Sequence, residues 1–141
     1  MLISRLGGQI MRFRCGAVAI GLIVLAWPAS AHHSHGLYKD SFTDLQGVVK
    51  EVHLLVPHSF VYIEVKPATG EPQSWALEGT SRSGLERIGV TKDYLQAGDT
   101  IKVRCHALRD GTNGCLLGFL KTKDGSVKDW DGGSLPAPAD F

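Results

Sequence analysis

The sequence predicts a mainly β fold: a small closed antiparallel barrel of five strands, with one short helix between the third and fourth, behind a cleaved signal peptide. Three observations predict it. Two β-rich runs, 48–55 and 60–65, flank a short connection holding Pro57 and His58, which is the order strand, turn, strand. A helix-start pattern, Ser83-Gly-Leu-Glu86, divides the first three β-rich runs from the last two. The run 48–55 is apolar on both faces, as suits a long, bent strand that pairs on both sides and feeds two halves of a barrel.

The 141 residues suffice for one domain. Arg12 and Arg14 precede an apolar run, 15–27, and Ala29-Ser30-Ala31 fits the small-x-small rule for signal peptidase, so residues 1–31 read as a signal peptide cut after Ala31. Met11 opens a more compact signal than Met1 and is the expected start. The run is shorter than the roughly 20 residues of a membrane span. Cys15 stands at the start of the run rather than at the cut, which argues against a lipoprotein. Removing 1–31 takes Arg5, Arg12 and Arg14 and no acidic residue, moving the formal charge from +1 to −2. That balance, with a periplasmic or secreted address, argues against a nucleic-acid partner. The mature chain divides into a His-rich arm, 32–44, a barrel domain, 45–130, and a Gly-, Pro- and Ala-rich tail, 131–141, expected to be disordered.

In 60–65, Val61, Ile63 and Val65 alternate with Phe60, Tyr62 and Glu64, placing an apolar face against an aromatic and charged one. In the preceding run, strict alternation sets Val48, Val52 and Leu54 beside Lys50, and Val49 and Leu55 beside Glu51 and His53. A turn at 67–70 leads to a third strand, 73–78, with Trp75 and Leu77 on one face. Ser83-Gly-Leu-Glu86 reads as a capping box, Gly89 stops the helix, and Thr91 starts one further turn. Ile101, Val103 and Cys105 then alternate with Lys102, Arg104 and His106. A fifth strand, 115–120, places Phe119 inward, and Asp124-Gly125 turns the chain to a short run ending at Trp130. Three strands, a helix and two strands is the order of the OB-fold. An antiparallel sandwich with one packed helix is the competing architecture.

Cys105 and Cys115 stand on the two arms of a hairpin around Arg109-Asp-Gly-Thr-Asn-Gly114. An oxidising compartment favours a disulfide between them, provided the loop holds an odd number of residues. The alternative is two buried thiols. Within the loop, Arg109 and Asp110 read as a tip ion pair.

Cleavage after Ala31 leaves His32 first, followed by His33, Ser34 and His35. An amino-terminal histidine offers its α-amine and ring Nδ1 to one metal, and nitrogen donors suit copper. Imidazoles from His33, His35 or His58 would complete the set, an arrangement that resembles a copper brace. A cut one residue earlier would put a histidine third, which is instead the amino-terminal Cu(II)/Ni(II) peptide motif. The alternative is a solvated linker with no metal. Phe60 and Tyr62, with Glu78 nearby, form a candidate ligand-binding face, since OB-folds stack bases or sugars there. His106, flanked by Arg104, is a poor ligand. No Ser-His-Asp order, phosphate loop or carboxylate pair points to an enzyme, and a copper oxidase is the third reading.

His32-His33-Ser34, Gly47-Val48-Val49, Pro57-His58, Trp75-Ala-Leu-Glu-Gly79, Leu95-Gln-Ala-Gly-Asp99 and Arg109-Asp-Gly111 stand in an order that resembles a widespread group of small exported bacterial proteins with no assigned activity. The resemblance implies an exported β-barrel and makes His-His-Ser and Pro-His shared features. This chain departs from it in Val56, where the pattern usually has Asn, and in carrying Cys105 and Cys115. The leading expectation is a non-enzymatic exported module binding copper through His32, His33, His35 and His58. The alternative is a ligand- or protein-interaction barrel using Phe60 and Tyr62.

Overall fold

The first strand bends and serves two partners, and the barrel closes through it. The computed structural model describes residues 35–141, His35 by its backbone alone; the expected signal peptide and the start of the arm, with His32 and His33, lie outside the described residues. A 3-10 turn, His35–Leu37, leads to β1 (Thr43–His53), β2 (Ser59–Val65), β3 (Gln73–Gly79), α1 (Arg82–Arg87), β4 (Thr100–Ala107), β5 (Gly114–Lys121) and β6 (Val127–Asp129). Residues 43–48 of β1 pair antiparallel with β4, and 48–53 pair with β2. β2 pairs with β3, β4 with β5, and a parallel pairing of β3 with β5 closes the ring. The barrel is the five-stranded one expected, with its helix between the third and fourth strands. β6 extends it from the far half of β5.

At the bend, a Cβ on Gly47 would stand 2.7 Å from the Glu64 carbonyl oxygen, so this crossing needs the missing side chain. Three residues on, Lys50 is an extra residue between the pairs Val49↔Ile63 and Glu51↔Tyr62. This β-bulge corrects the parity read along 48–55. Val49 is fully buried and Val52 packs against the same core although the two are three apart, because the bulge flips the alternation between them.

A second bulge corrects Phe119. Arg104 pairs with Phe119 but Cys105 with Leu117, leaving Gly118 as the extra residue. Leu120, opposite Val103, therefore enters the core, and Phe119 shares the outer side with Arg104. It is still buried, because the tail covers it: the Phe141 ring lies 6.3 Å away. The tail, for which composition implied disorder, makes further contacts, with Asp140 bound to Arg104 at 2.8 Å and the Leu135 amide donating to Asp129 at 2.8 Å.

The helix begins two residues earlier than the capping box implied. Ser81 is the N-cap, its Oγ accepting from the Gly84 amide, while Glu86 pairs with Arg82 at 2.8 Å instead of returning to Ser83. This register buries Leu85 completely, together with Val90 and Leu95 beyond the helix stop at Gly89. Each such aliphatic side chain contributes about 2 kcal/mol on burial. Cys105 and Cys115 form a disulfide across the β4–β5 hairpin, with Cα atoms 5.7 Å apart. Arg109 pairs with Asp40 at 2.9 Å rather than with Asp110, whose carboxylate accepts from Thr112. Among the described residues, no helix is long and apolar enough to cross a membrane.

Candidate functional site

The described part of the arm folds back onto the barrel. Its backbone is pinned beside the end of β4, with the Lys39 amide donating to the Ala107 carbonyl at 2.8 Å and the Arg109 amide to the Leu37 carbonyl at 2.9 Å. Between these two bonds, Tyr38 bridges to Leu108 and sends its side chain across to β3. The Tyr38 hydroxyl donates to Glu78 Oε2 at 2.6 Å. The other carboxylate oxygen, Oε1, lies 3.1 Å from His58 Nδ1. One carboxylate thus joins the arm, the third strand and the β1–β2 loop, in which the Val56–Pro57 peptide bond is cis.

Burial and the Glu78 carboxylate, in that order, hold the Tyr38 hydroxyl protonated well above the ordinary tyrosine range. The three groups line an open cleft of about 450 Å³, walled on its apolar side by Leu37, Pro57 and Leu116 and on its polar side by Thr80, Ser81 and Asp131. It can hold a small polar ligand or a cation. Imidazole nitrogen with a carboxylate behind it is metal-ligand chemistry, since a carboxylate on one ring nitrogen sets the tautomer and the basicity of the other.

Glu78 also sits directly opposite Phe60 in the β2–β3 ladder, so the cleft and the aromatic face adjoin. Phe60 and Tyr62 stack with ring centroids 6.3 Å apart and remain partly exposed. His53 stands edge-on to Tyr62 at 5.5 Å and bonds Glu51 at 2.9 Å, extending the face along β1. His106 is engaged elsewhere: its Nδ1 contacts the Lys39 carbonyl at 2.8 Å and its ring lies 4.3 Å from that of Phe42.

The structure therefore brings His58 together with Glu78, and Phe60 with Tyr62, and joins the two pairs. His32 and His33 lie outside the described residues, and the His35 side chain is not described. Among the described residues, no group of three or more His, Cys, Asp or Glu side chains is placed to hold a metal ion. Tyr38 escaped the sequence reading because nothing local marks it; its role comes from a contact spanning forty positions. Asp131, which lines the same cleft, carries no local mark either.

Residues 19–117 match the model of a family described as a family of unknown function (DUF6152), more than half of the chain. The chain belongs to this family. No curated protein matches the chain. Among solved structures, it is similar to the mitochondrial single-stranded DNA binding protein of S. cerevisiae, Rim1, with 12% identity, covering 61% of this chain and 96% of that one at a TM-score of 0.47.

Proposed function

We propose that this member of the family is an exported, non-enzymatic module that holds a transition metal, copper first, where the His-rich arm meets the barrel. The observation that carries this reading is the linkage Tyr38–Glu78–His58, which ties the arm to the barrel beside the barrel's own histidine. His35 lies three residues before Tyr38, and His33 and His32 follow upstream, so the arm's donors are within reach of the cleft at about 3.5 Å per residue. Cleavage after Ala31 frees the His32 amine, which with its own ring and His33 or His35 makes a nitrogen-rich set suited to Cu(II). His58, backed by Glu78, supplies a ligand from the fold. Bound copper would supply a nitrogen-ligated Cu(II)/Cu(I) centre. The protein's own contribution is to restrict the arm and orient the imidazole.

A second reading follows from the stacked Phe60 and Tyr62: a barrel that captures a small extracytoplasmic ligand or a protein on its aromatic face, with no metal. Titration with Cu(II), followed by EPR, separates the readings when protein beginning at His32 is compared with protein carrying one extra residue ahead of it. The metal reading expects the nitrogen hyperfine pattern to change with the extra residue. An unchanged spectrum discards the amine-plus-ring site, and absence of binding discards the metal. Replacing Phe60 and Tyr62 with Ala abolishes partner capture under the second reading and leaves copper affinity intact under the first. Mass spectrometry of the exported protein tests the address and the cut together.

A further inference from the structure

We infer that residues 134–141 form a releasable strap, and that the groove they fill on the outer side of β4 and β5 is a docking site for a segment of a partner protein carrying an acidic residue beside an aromatic one. The barrel itself holds the groove's walls. Arg104 is fixed by a two-pronged bond to Asp44, at 2.8 and 3.0 Å, and Lys102 pairs with the same carboxylate at 3.6 Å. Phe119, which pairs with Arg104 across the ladder, is only 7% exposed although it lies outside the core. Its cover is the strap. The Phe141 ring lies 6.3 Å from that of Phe119 and sits among three cations, 4.8 Å from Lys102, 5.3 Å from Arg104 and 5.9 Å from Lys121. Asp140 takes the one Arg104 nitrogen that Asp44 leaves, at 2.8 Å, and Lys121 donates to a carboxyl oxygen of Phe141 at 3.1 Å. The strap therefore shows what the groove recognises: an aromatic ring on Phe119, ringed by positive charge, with a carboxylate on Arg104.

Three features make the strap releasable. Its base is strained, since Ser134 has a φ of 55°, a left-handed conformation that costs a serine energy and that release relaxes. The Asp140 side chain is largely exposed, so its ion pair with Arg104 is weak and screened by salt. The fit is also incomplete. A crevice of about 110 Å³ remains between Leu135 and the Phe42 and Phe119 rings, and Leu135 itself stays exposed. A partner segment that offers the same carboxylate and ring, and also fills this crevice, outcompetes the strap. On release, Phe119 joins the exposed Phe42 in an apolar floor beside Arg104 and Lys121, and such a floor calls for a cover.

The probe is a synthetic peptide of residues 135–141, Leu-Pro-Ala-Pro-Ala-Asp-Phe, titrated at low ionic strength into protein beginning at His32 and read by amide chemical shifts. In D140A/F141A, where the strap has lost its grip, saturable shifts at Phe42, Arg104, Phe119 and Lys121 are the expected result. The unmodified protein should bind about tenfold more weakly or worse, because its tethered strap competes at high local concentration. Adding Arg104→Gln to D140A/F141A should weaken binding by about tenfold. A peptide ending Asn-Ala in place of Asp-Phe should not bind, which tests the recognition without touching the fold. Absence of saturation in D140A/F141A, equal binding of the two peptides, or equal binding to the unmodified protein and D140A/F141A would overturn the inference. So would concentration-dependent dimers of the unmodified protein that the peptide dissociates, since they would give the groove to a second copy.

Discussion

The Tyr38 hydroxyl and the Glu78 carboxylate, forty positions apart, meet at 2.6 Å, and this contact fastens the arm to the barrel. A tyrosine bonded to a carboxylate loses more than a ring edge when its hydroxyl is removed. Tyr38→Phe should cost about 1.5 kcal/mol in urea unfolding, the lower end for a bond to a charged group because the pair is only half-buried. Faster amide exchange at Tyr38 and Lys39 would accompany it.

The same contact predicts a behaviour in alkali. The folded state keeps the Tyr38 proton above the ordinary tyrosine value, so above about pH 10 the unfolded state binds fewer protons than the folded one. The contribution is complete below that pH and is lost as pH rises beyond it. Ultraviolet titration should show one tyrosine ionising above the ordinary tyrosine range, and Tyr38→Phe should remove that late step.

At the opposite end of the pH scale, the Arg104 guanidinium beside Asp44 holds its carboxyl below the usual aspartate range. A depressed carboxyl stabilises the fold above the ordinary value near pH 4, and its contribution fades as pH falls through the folded-state value. The Asp44 side-chain carbon, followed by NMR, should titrate below the ordinary aspartate value near 4. In Arg104→Lys, which cannot form the two-pronged bond, the Asp44 midpoint should move upward.

How much of this was legible in the sequence depended on whether a signal was local. Val61 and Ile63 alternate cleanly because β2 has no bulge, and the helix stop at Gly89 is a one-residue property. The inward positions of Val52 and Leu120 were hidden, since Lys50 and Gly118 each insert one residue that only the partner strand reveals. Ser81 outcompeted Ser83 as the cap because burying Leu85 sets the register of the whole helix. Glu78 was legible as a site candidate at the end of a strand, but its partner Tyr38 was not, since proximity across the barrel mouth leaves no trace in spacing.

The Cys105–Cys115 disulfide closes a short loop, with a sequence separation of 10. Constraining the unfolded chain over such a loop contributes about 2–3 kcal/mol. Both sulfurs are buried with the core, so a reductant should act slowly on the native protein and quickly near the unfolding midpoint. Urea unfolding with and without reductant, and of the Cys105→Ala/Cys115→Ala variant, should show the midpoint falling accordingly.

The last prediction concerns Glu78 as the residue behind a metal ligand. If His58 coordinates copper, the carboxylate 3.1 Å from its Nδ1 orients the ring, and loss of such a partner usually costs 10- to 100-fold in affinity. Glu78→Gln keeps the shape and can still accept from Tyr38, so the arm stays in place while the charge behind the imidazole is lost. Copper affinity should then fall about tenfold, with stoichiometry and fold unchanged. His58→Ala should remove one nitrogen from the EPR pattern altogether. A Glu78→Gln protein that binds copper as tightly as its parent would separate the arm's site from the barrel and leave the Tyr38–Glu78 contact a purely structural fastening.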